Sequence, residues 1–146
     1  MRTGRGRRFG VVVSDFNGDI TEKLLKSCLK TWEENGTRPE SVTVVHVPGS
    51  FELPLMAQEM ARTKKYDAVA ALGCIIRGQT PHDRYLSQEV ARGLGQAALN
   101  TGVPVIFGVL TTLNVKQALA RAGKGSSDKG REAALAALQM ANISRL

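Results

Sequence analysis

Apolar and polar positions along the chain switch between two periods, and the switches mark out its elements. Phe9-Gly10-Val11-Val12-Val13 is a continuous apolar run of strand length, the pattern of a strand covered on both faces. Leu24, Leu25, Cys28, Leu29 and Trp32 then recur at helical spacing as one apolar stripe. Asp19 followed by Glu22 predicts the start of that helix by reciprocal capping, and Asn35-Gly36 predicts its end. A second strand is expected over Ser41 to Val47, closed by Pro48-Gly49, with a helix from Phe51 to Lys64 behind it. A third strand, Ala68 to Ile75, leads to a helix from His82 to Leu99. Gly102 and Pro104 break the chain before a fourth strand, Val105 to Leu110. Two last helices, Val115 to Ala122 and Lys129 to Met140, flank the polar Gly123-Lys124-Gly125-Ser126-Ser127.

Strands and helices alternate without a linker or low-complexity gap. That alternation predicts an α/β class domain of three layers, a flavodoxin-like four-stranded parallel sheet with helices on both faces and right-handed crossovers. Residues 9–146 are expected as that single domain, and residues 1–8 as a flexible basic arm. One helix is unusual. Gly93 and Gly95 lie inside the third helix, each costing about 1 kcal/mol relative to alanine. With Ala91, Ala97 and Ala98 they make a small-residue surface, suited to close helix contact within or between subunits; a merely weak helix is the alternative.

Composition changes little in this picture. Of 146 residues, 42% are apolar and 23% charged, which is ordinary for a globular protein. Cys28 and Cys74 sit in apolar surroundings without CxxC spacing, as reduced, buried thiols of a cytoplasmic protein do. No apolar stretch approaches the roughly 18 residues of a membrane span, and no signal-peptide core is present, so no membrane association is expected. The net charge of +7 invites a nucleic-acid reading, but Arg2, Arg5, Arg7 and Arg8 supply four of those charges, leaving +3 for the remainder. A solvated tail is the favoured reading of the arm; non-specific contact with RNA or polyphosphate is the other.

Parallel strands point the same way, so the four segments leaving their carboxyl ends must share one edge of the sheet, where open α/β sheets bind ligands. Gly73-Cys74-Ile75-Ile76-Arg77-Gly78-Gln79-Thr80-Pro81-His82 is the most informative of them. It offers glycines for close backbone approach, exposed amides, a hydroxyl, an arginine and a histidine, an inventory for an anionic substrate that undergoes proton transfer. His82 can give and take a proton near neutrality, or simply cap its helix. Phe16 and Phe51 could stack a flat heterocycle or belong to the core, and Glu52 could accept from ring or hydroxyl donors. His46, inside an apolar strand, reads as structural. Arg121 and Lys129 flank the glycine–serine loop and matter only if that loop reaches an anion site.

Taken together, these segments resemble the 6,7-dimethyl-8-ribityllumazine synthase family. Val47-Pro48-Gly49-Ser50-Phe51-Glu52-Leu53-Pro54, the Gly73 to His82 loop, Phe107-Gly108-Val109-Leu110-Thr111-Thr112, and Arg121-Ala122-Gly123 with Asp128-Lys129-Gly130 carry the resemblance, in order and at family spacing. It implies a transferase of riboflavin biosynthesis that joins 5-amino-6-(D-ribitylamino)uracil to 3,4-dihydroxy-2-butanone 4-phosphate, with no metal and no redox cofactor. Phe16 would then stack on the pyrimidine. Ser50, Phe51 and Glu52, with the backbone of Cys74, Ile75 and Ile76, would hold its ring and ribityl chain. Gln79, Thr80 and Arg121 would bind the phosphate with help from Lys129, and His82 would shuttle protons. Phe107 would close the pocket from an adjacent subunit. The resemblance further implies a homo-oligomer, a pentamer or a 60-subunit icosahedral shell with sites between subunits, and raises riboflavin synthase as a partner. In two respects the chain departs from the family pattern. An aromatic residue and then a carboxylate usually follow the histidine; here Asp83-Arg84-Tyr85 follow it, moving the acid by one position, about 100° on a helix. The segment before Phe9, which in relatives often extends a neighbour's sheet, is short.

Overall fold

The computed structural model describes residues 3–144. Four strands form one parallel sheet in the order β2-β1-β3-β4: β1 Phe9–Ser14, β2 Val42–Val47, β3 Ala68–Ile76 and β4 Val105–Thr112. The central strands, β1 and β3, are buried at every position, which is why they read as unbroken apolar runs. Alternate residues serve opposite faces. Phe9, Val11 and Val13 face one core with Trp32 and Leu138, and Val12 faces the other with Leu53 and Leu94.

Helices α1 (Gly18–Glu34), α4 (Val115–Ala120) and α5 (Lys129–Ile143) cover the first face, and α2 (Leu53–Arg62) and α3 (Asp83–Thr101) the second. The expected three-layer architecture is present. The first core is fixed by the Phe9 and Trp32 rings, stacked 4.6 Å apart, and by Trp32 Nε1 donating to the Ala134 carbonyl at 3.1 Å. Chain order reverses across the sheet between β1 and β3: β1 connects outward to β2, whereas β3 continues to β4 on the other side. The carboxyl ends of β1 and β3 therefore bound a crevice, the switch point of the topology.

Several element ends differ from the sequence pattern. Asp19 does not cap α1: the cap position is Asn17, in the left-handed region at φ 61°, and Asp19 lies in the first turn. The Asn17 side chain is engaged across the crevice instead, and Asp19 still complements the helix dipole. The second helical segment opens as a single 3₁₀ turn, Ser50–Glu52, because the Glu52 carboxylate accepts from the Gly49 amide at 2.9 Å and Pro54 sits at the start of α2. At their carboxyl ends α3 and α5 run to Thr101 and Ile143, past the expected Leu99 and Met140, whereas α4 stops at Ala120, short of Ala122.

Gly93 permits close packing within the chain, since a Cβ there would lie 2.8 Å from the Cβ of Pro54 on α2. Gly95 meets nothing within 4 Å. Residues 3–8, expected as a flexible arm, lie against the domain. The Gly4 amide donates to the Asn35 carbonyl at 2.8 Å, the Arg7 guanidinium to Asn142 Oδ1 at 2.7 Å, and the Arg8 amide to Asp67 Oδ2 at 2.8 Å. Met1 and Arg2 of that arm lie outside the described residues.

Candidate active site

A cleft of about 170 Å³ opens at the carboxyl ends of β1, β2 and β3. Phe16 reaches it from β1, and Ser50, Phe51 and Glu52 from the turn after β2. Cys74, Ile75 and Ile76 supply its floor from β3, followed by Gln79 and Thr80 from the loop. Neither ring belongs to the core: Phe16 is 54% and Phe51 65% exposed. Two large apolar faces open to solvent beside a crevice suit a flat, partly polar molecule.

The loop ahead of α3 is built for its task. Gly78 has φ 88°, a conformation open to glycine at little cost. The Gln79 amide turns back onto the Ile76 carbonyl at 3.3 Å. Asn17 and Gln79 pair reciprocally through their side-chain amides, at 3.1 Å each way, and Asn17 Nδ2 also donates to the Cys74 carbonyl at 2.9 Å. The switch point is thus stitched shut beneath the cleft. His82 caps α3; its amide donates to Thr80 Oγ1 at 3.2 Å and its carbonyl accepts from the Leu86 amide at 2.8 Å. Its exposed imidazole has no hydrogen-bond or ion-pair partner among the described residues, leaving both ring nitrogens available to a substrate.

Burial pushes the Cys74 thiol up to about 11, with the Asp19 charge adding to it. What Cys74 presents to the cleft is therefore a neutral thiol and a carbonyl already bonded to Asn17. Glu52 likewise has one oxygen on the Gly49 amide, which fixes the carboxylate and leaves its second oxygen free to accept. Asp83 does not take up a position on the imidazole. Its carboxylate accepts from the Gly78 amide, and so stabilises the left-handed turn of the loop.

Phe107, Arg121 and Lys129 do not join this cleft within one chain. Phe107 pairs with Ala71, five residues before the end of β3, which places it about 16 Å back from the carboxyl edge. Lys129 Nζ lies 5.7 Å from the Phe107 ring centroid, and the Lys129 amide donates to the Arg121 carbonyl at 2.8 Å. Glu132 faces both cations, 3.1 Å from Lys129 Nζ and 3.8 Å from the Arg121 guanidinium. These three residues make a second, separate patch. Residue spacing could not show this, because the patch depends on how α5 docks against the edge of β4.

Sequence reasoning left three residues unassigned. Asn17 and Asp83 hold the loop, and Leu86 lines the cleft from α3. A local signal existed only for Asp83, through its displacement from the family pattern. His46, expected as structural inside an apolar strand, lies on the exposed side of edge strand β2, its Nδ1 3.0 Å from Asp15 Oδ1.

The 6,7-dimethyl-8-ribityllumazine synthase family model matches residues 6–145. The chain belongs to that family. It is 52% identical to the 6,7-dimethyl-8-ribityllumazine synthase of Salinibacter ruber (strain DSM 13855 / M31) over 138 residues, 94% of this chain and 88% of the relative. With that membership, the cleft at the switch point becomes the candidate lumazine synthase site.

Proposed function

We propose that the chain is a lumazine synthase, a transferase condensing 5-amino-6-(D-ribitylamino)uracil with 3,4-dihydroxy-2-butanone 4-phosphate to give 6,7-dimethyl-8-ribityllumazine, phosphate and water in riboflavin biosynthesis. The observation that carries this reading is the gathering of the Phe16 and Phe51 rings, the Glu52 carboxylate and the Gln79–Thr80 loop at one cleft, with His82 tied to Thr80 through its amide, in a member of that family. Phe16 stacks on the pyrimidine, while Ser50, Phe51, Glu52 and the β3 backbone from Cys74 to Ile76 hold its ring and ribityl chain. Gln79 and Thr80 receive the phosphate, neutralised by Arg121 and Lys129. Attack of the pyrimidine amine on the ketone gives an imine with loss of water. Elimination breaks the carbon–oxygen bond to phosphate, and ring closure releases a second water. His82, free at both nitrogens, moves the protons, a contribution of about 10²–10⁴ in rate. Holding two substrates in one orientation adds to it.

The same reading makes the protein a homo-oligomer. Phe107, Arg121 and Lys129 of one chain complete the cleft of the next, a head-to-tail contact that closes as a pentamer or as a shell of sixty chains. The open side of α3 at Gly95 and the 82% exposed Leu99 suit the contact around the five-fold axis. We place the enzyme in the cytoplasm, in keeping with its two free buried cysteines, with riboflavin synthase as a partner. Among the described residues no helix is long and apolar enough to cross a membrane. Mixing purified protein with both substrates and following lumazine absorbance tests the activity; absence of product with the cleft residues intact overturns it.

A second reading follows from the Asp83 contact with Gly78: a lumazine- or flavin-binding member of the family, slowed because no carboxylate supports His82. Replacing Asp83 by Phe and Arg84 by Asp should then raise turnover, and an unchanged rate removes that reading.

A further inference from the structure

The lumazine-forming reaction, on which this inference rests, expels inorganic phosphate beside His82. Next to the substrate cleft lies a second cavity of about 220 Å³, which shares Ile75 and Asp83 with it as a common wall. Its other lining residues are Arg77 after β3, Thr111 near the end of β4, and Arg84 and Ser87 in the first turns of α3. Neither guanidinium has a hydrogen-bond or ion-pair partner among the described residues. By contrast, Arg62 faces Glu59, Arg92 faces Glu89, and Arg121 and Lys129 share Glu132. Asp83 is the one acid in the wall, and its carboxylate is committed to the Gly78 amide. Two guanidiniums against one carboxylate leave a local charge of +1.

We propose that this cavity is a phosphate release site, where Arg77 and Arg84 receive the inorganic phosphate that leaves the Gln79–Thr80 loop. Planar guanidiniums bind a phosphate dianion through paired N–H donors, and the Thr111 hydroxyl, exposed beside them, adds a donor. The Ser87 hydroxyl donates to the Arg84 carbonyl at 3.1 Å and fixes the turn that carries Arg84. A phosphate held one wall away is separated from the reacting carbon, and the Asp83 carboxylate between the two cavities disfavours its return.

Titrating the full-length, assembled protein with inorganic phosphate, by calorimetry and phosphorus NMR without substrates, tests this. Two phosphates per chain are expected in the parent protein. In Arg77→Gln/Arg84→Gln one of them weakens by at least about tenfold while the other stays. In Arg121→Gln the complementary site weakens. A parent stoichiometry of one that vanishes in Arg121→Gln overturns the proposal, as do two undiminished phosphates in the double variant. If the double variant does not fold, single Arg84→Gln and Arg84→Lys carry the test, with binding by Lys expected between that of Arg and Gln. Because the titration needs no turnover, a protein that binds two phosphates but forms no lumazine refutes the proposed reaction and leaves the anion site standing.

Discussion

Burial decides the chemistry of both thiols. Cys74 is 2% exposed, and desolvation first, then Asp19, raises its pKa from 9.0 to about 11. Cys28 is fully buried and moves further in the same direction, by burial and then by Asp128. A raised folded-state value means that the native protein holds its proton where the unfolded chain has lost it. The corresponding stability is complete below about pH 9 and is lost as pH rises through 9 towards 11. Native protein treated with iodoacetamide near pH 8 should therefore alkylate at both thiols far more slowly than unfolded protein, with Cys28 slower than Cys74. Rapid modification of Cys74 under native conditions contradicts the packing described at the cleft floor. His82 is the opposite case, an exposed ring held only through its backbone. His82→Gln should lower kcat by about 10²–10⁴ with little change in melting temperature, because no structural contact of the ring is lost. A melting loss comparable to that of a core variant would instead assign the ring a structural part.

At the scale of elements, the floor of the cleft depends on how closely the turn after β2 approaches β3. A Cβ at Gly73 would lie 2.9 Å from Ser50 Oγ, 3.0 Å from Leu53 Cδ1 and 3.3 Å from Ser14 Oγ. Gly73→Ala should cost about 1–3 kcal/mol in denaturant unfolding and raise KM for the pyrimidine, since Ser50 and the 3₁₀ turn must move outward. Unchanged stability together with unchanged KM would mean that the turn is not seated there. Much of this was legible in the chain, for physical reasons. The central strands are buried on both faces and so read as continuous apolar runs, and the stripe from Leu24 to Trp32 follows from one-sided burial of α1. Parallel direction alone gathers the strand-end segments on one edge, so Phe16, Ser50, Glu52 and Thr80 could be grouped without coordinates. What stayed hidden has no local signature. The Asn17–Gln79 amide pair spans 62 residues, and the loop contact of Asp83 competes with helix capping, which uses the same residue types. The α1 start was misplaced for the same reason: an acidic residue in a first turn looks like a cap until the backbone is seen.

Across the whole molecule, one chain carries two separate groups of candidate site residues. The cleft has rings, a side-chain amide and carboxylates, with His82 just beyond Thr80, but among its lining residues no Arg or Lys. The other patch has two cations and the 40% exposed Phe107. Position could be inferred for the first set, since strand ends share an edge. It could not be inferred for the second, because Arg121 and Lys129 are placed by the docking of α5. In a head-to-tail ring the cleft of each chain meets the cation patch of the next, so each site draws on two chains. That arrangement predicts a specific form of rescue. His82→Gln disables only the cleft half and Arg121→Gln only the cation half, so each homo-oligomer is nearly inactive. When the two are dissociated, mixed in equal amounts and reassembled, about one interface in four joins an intact cleft to an intact cation patch, and activity should recover to roughly 25% of the parent. Light scattering before and after reassembly checks that the rings have reformed. If mixed rings of parent size stay as inactive as their components, the two halves do not meet across subunits, and the cations must act within their own chain or not at all.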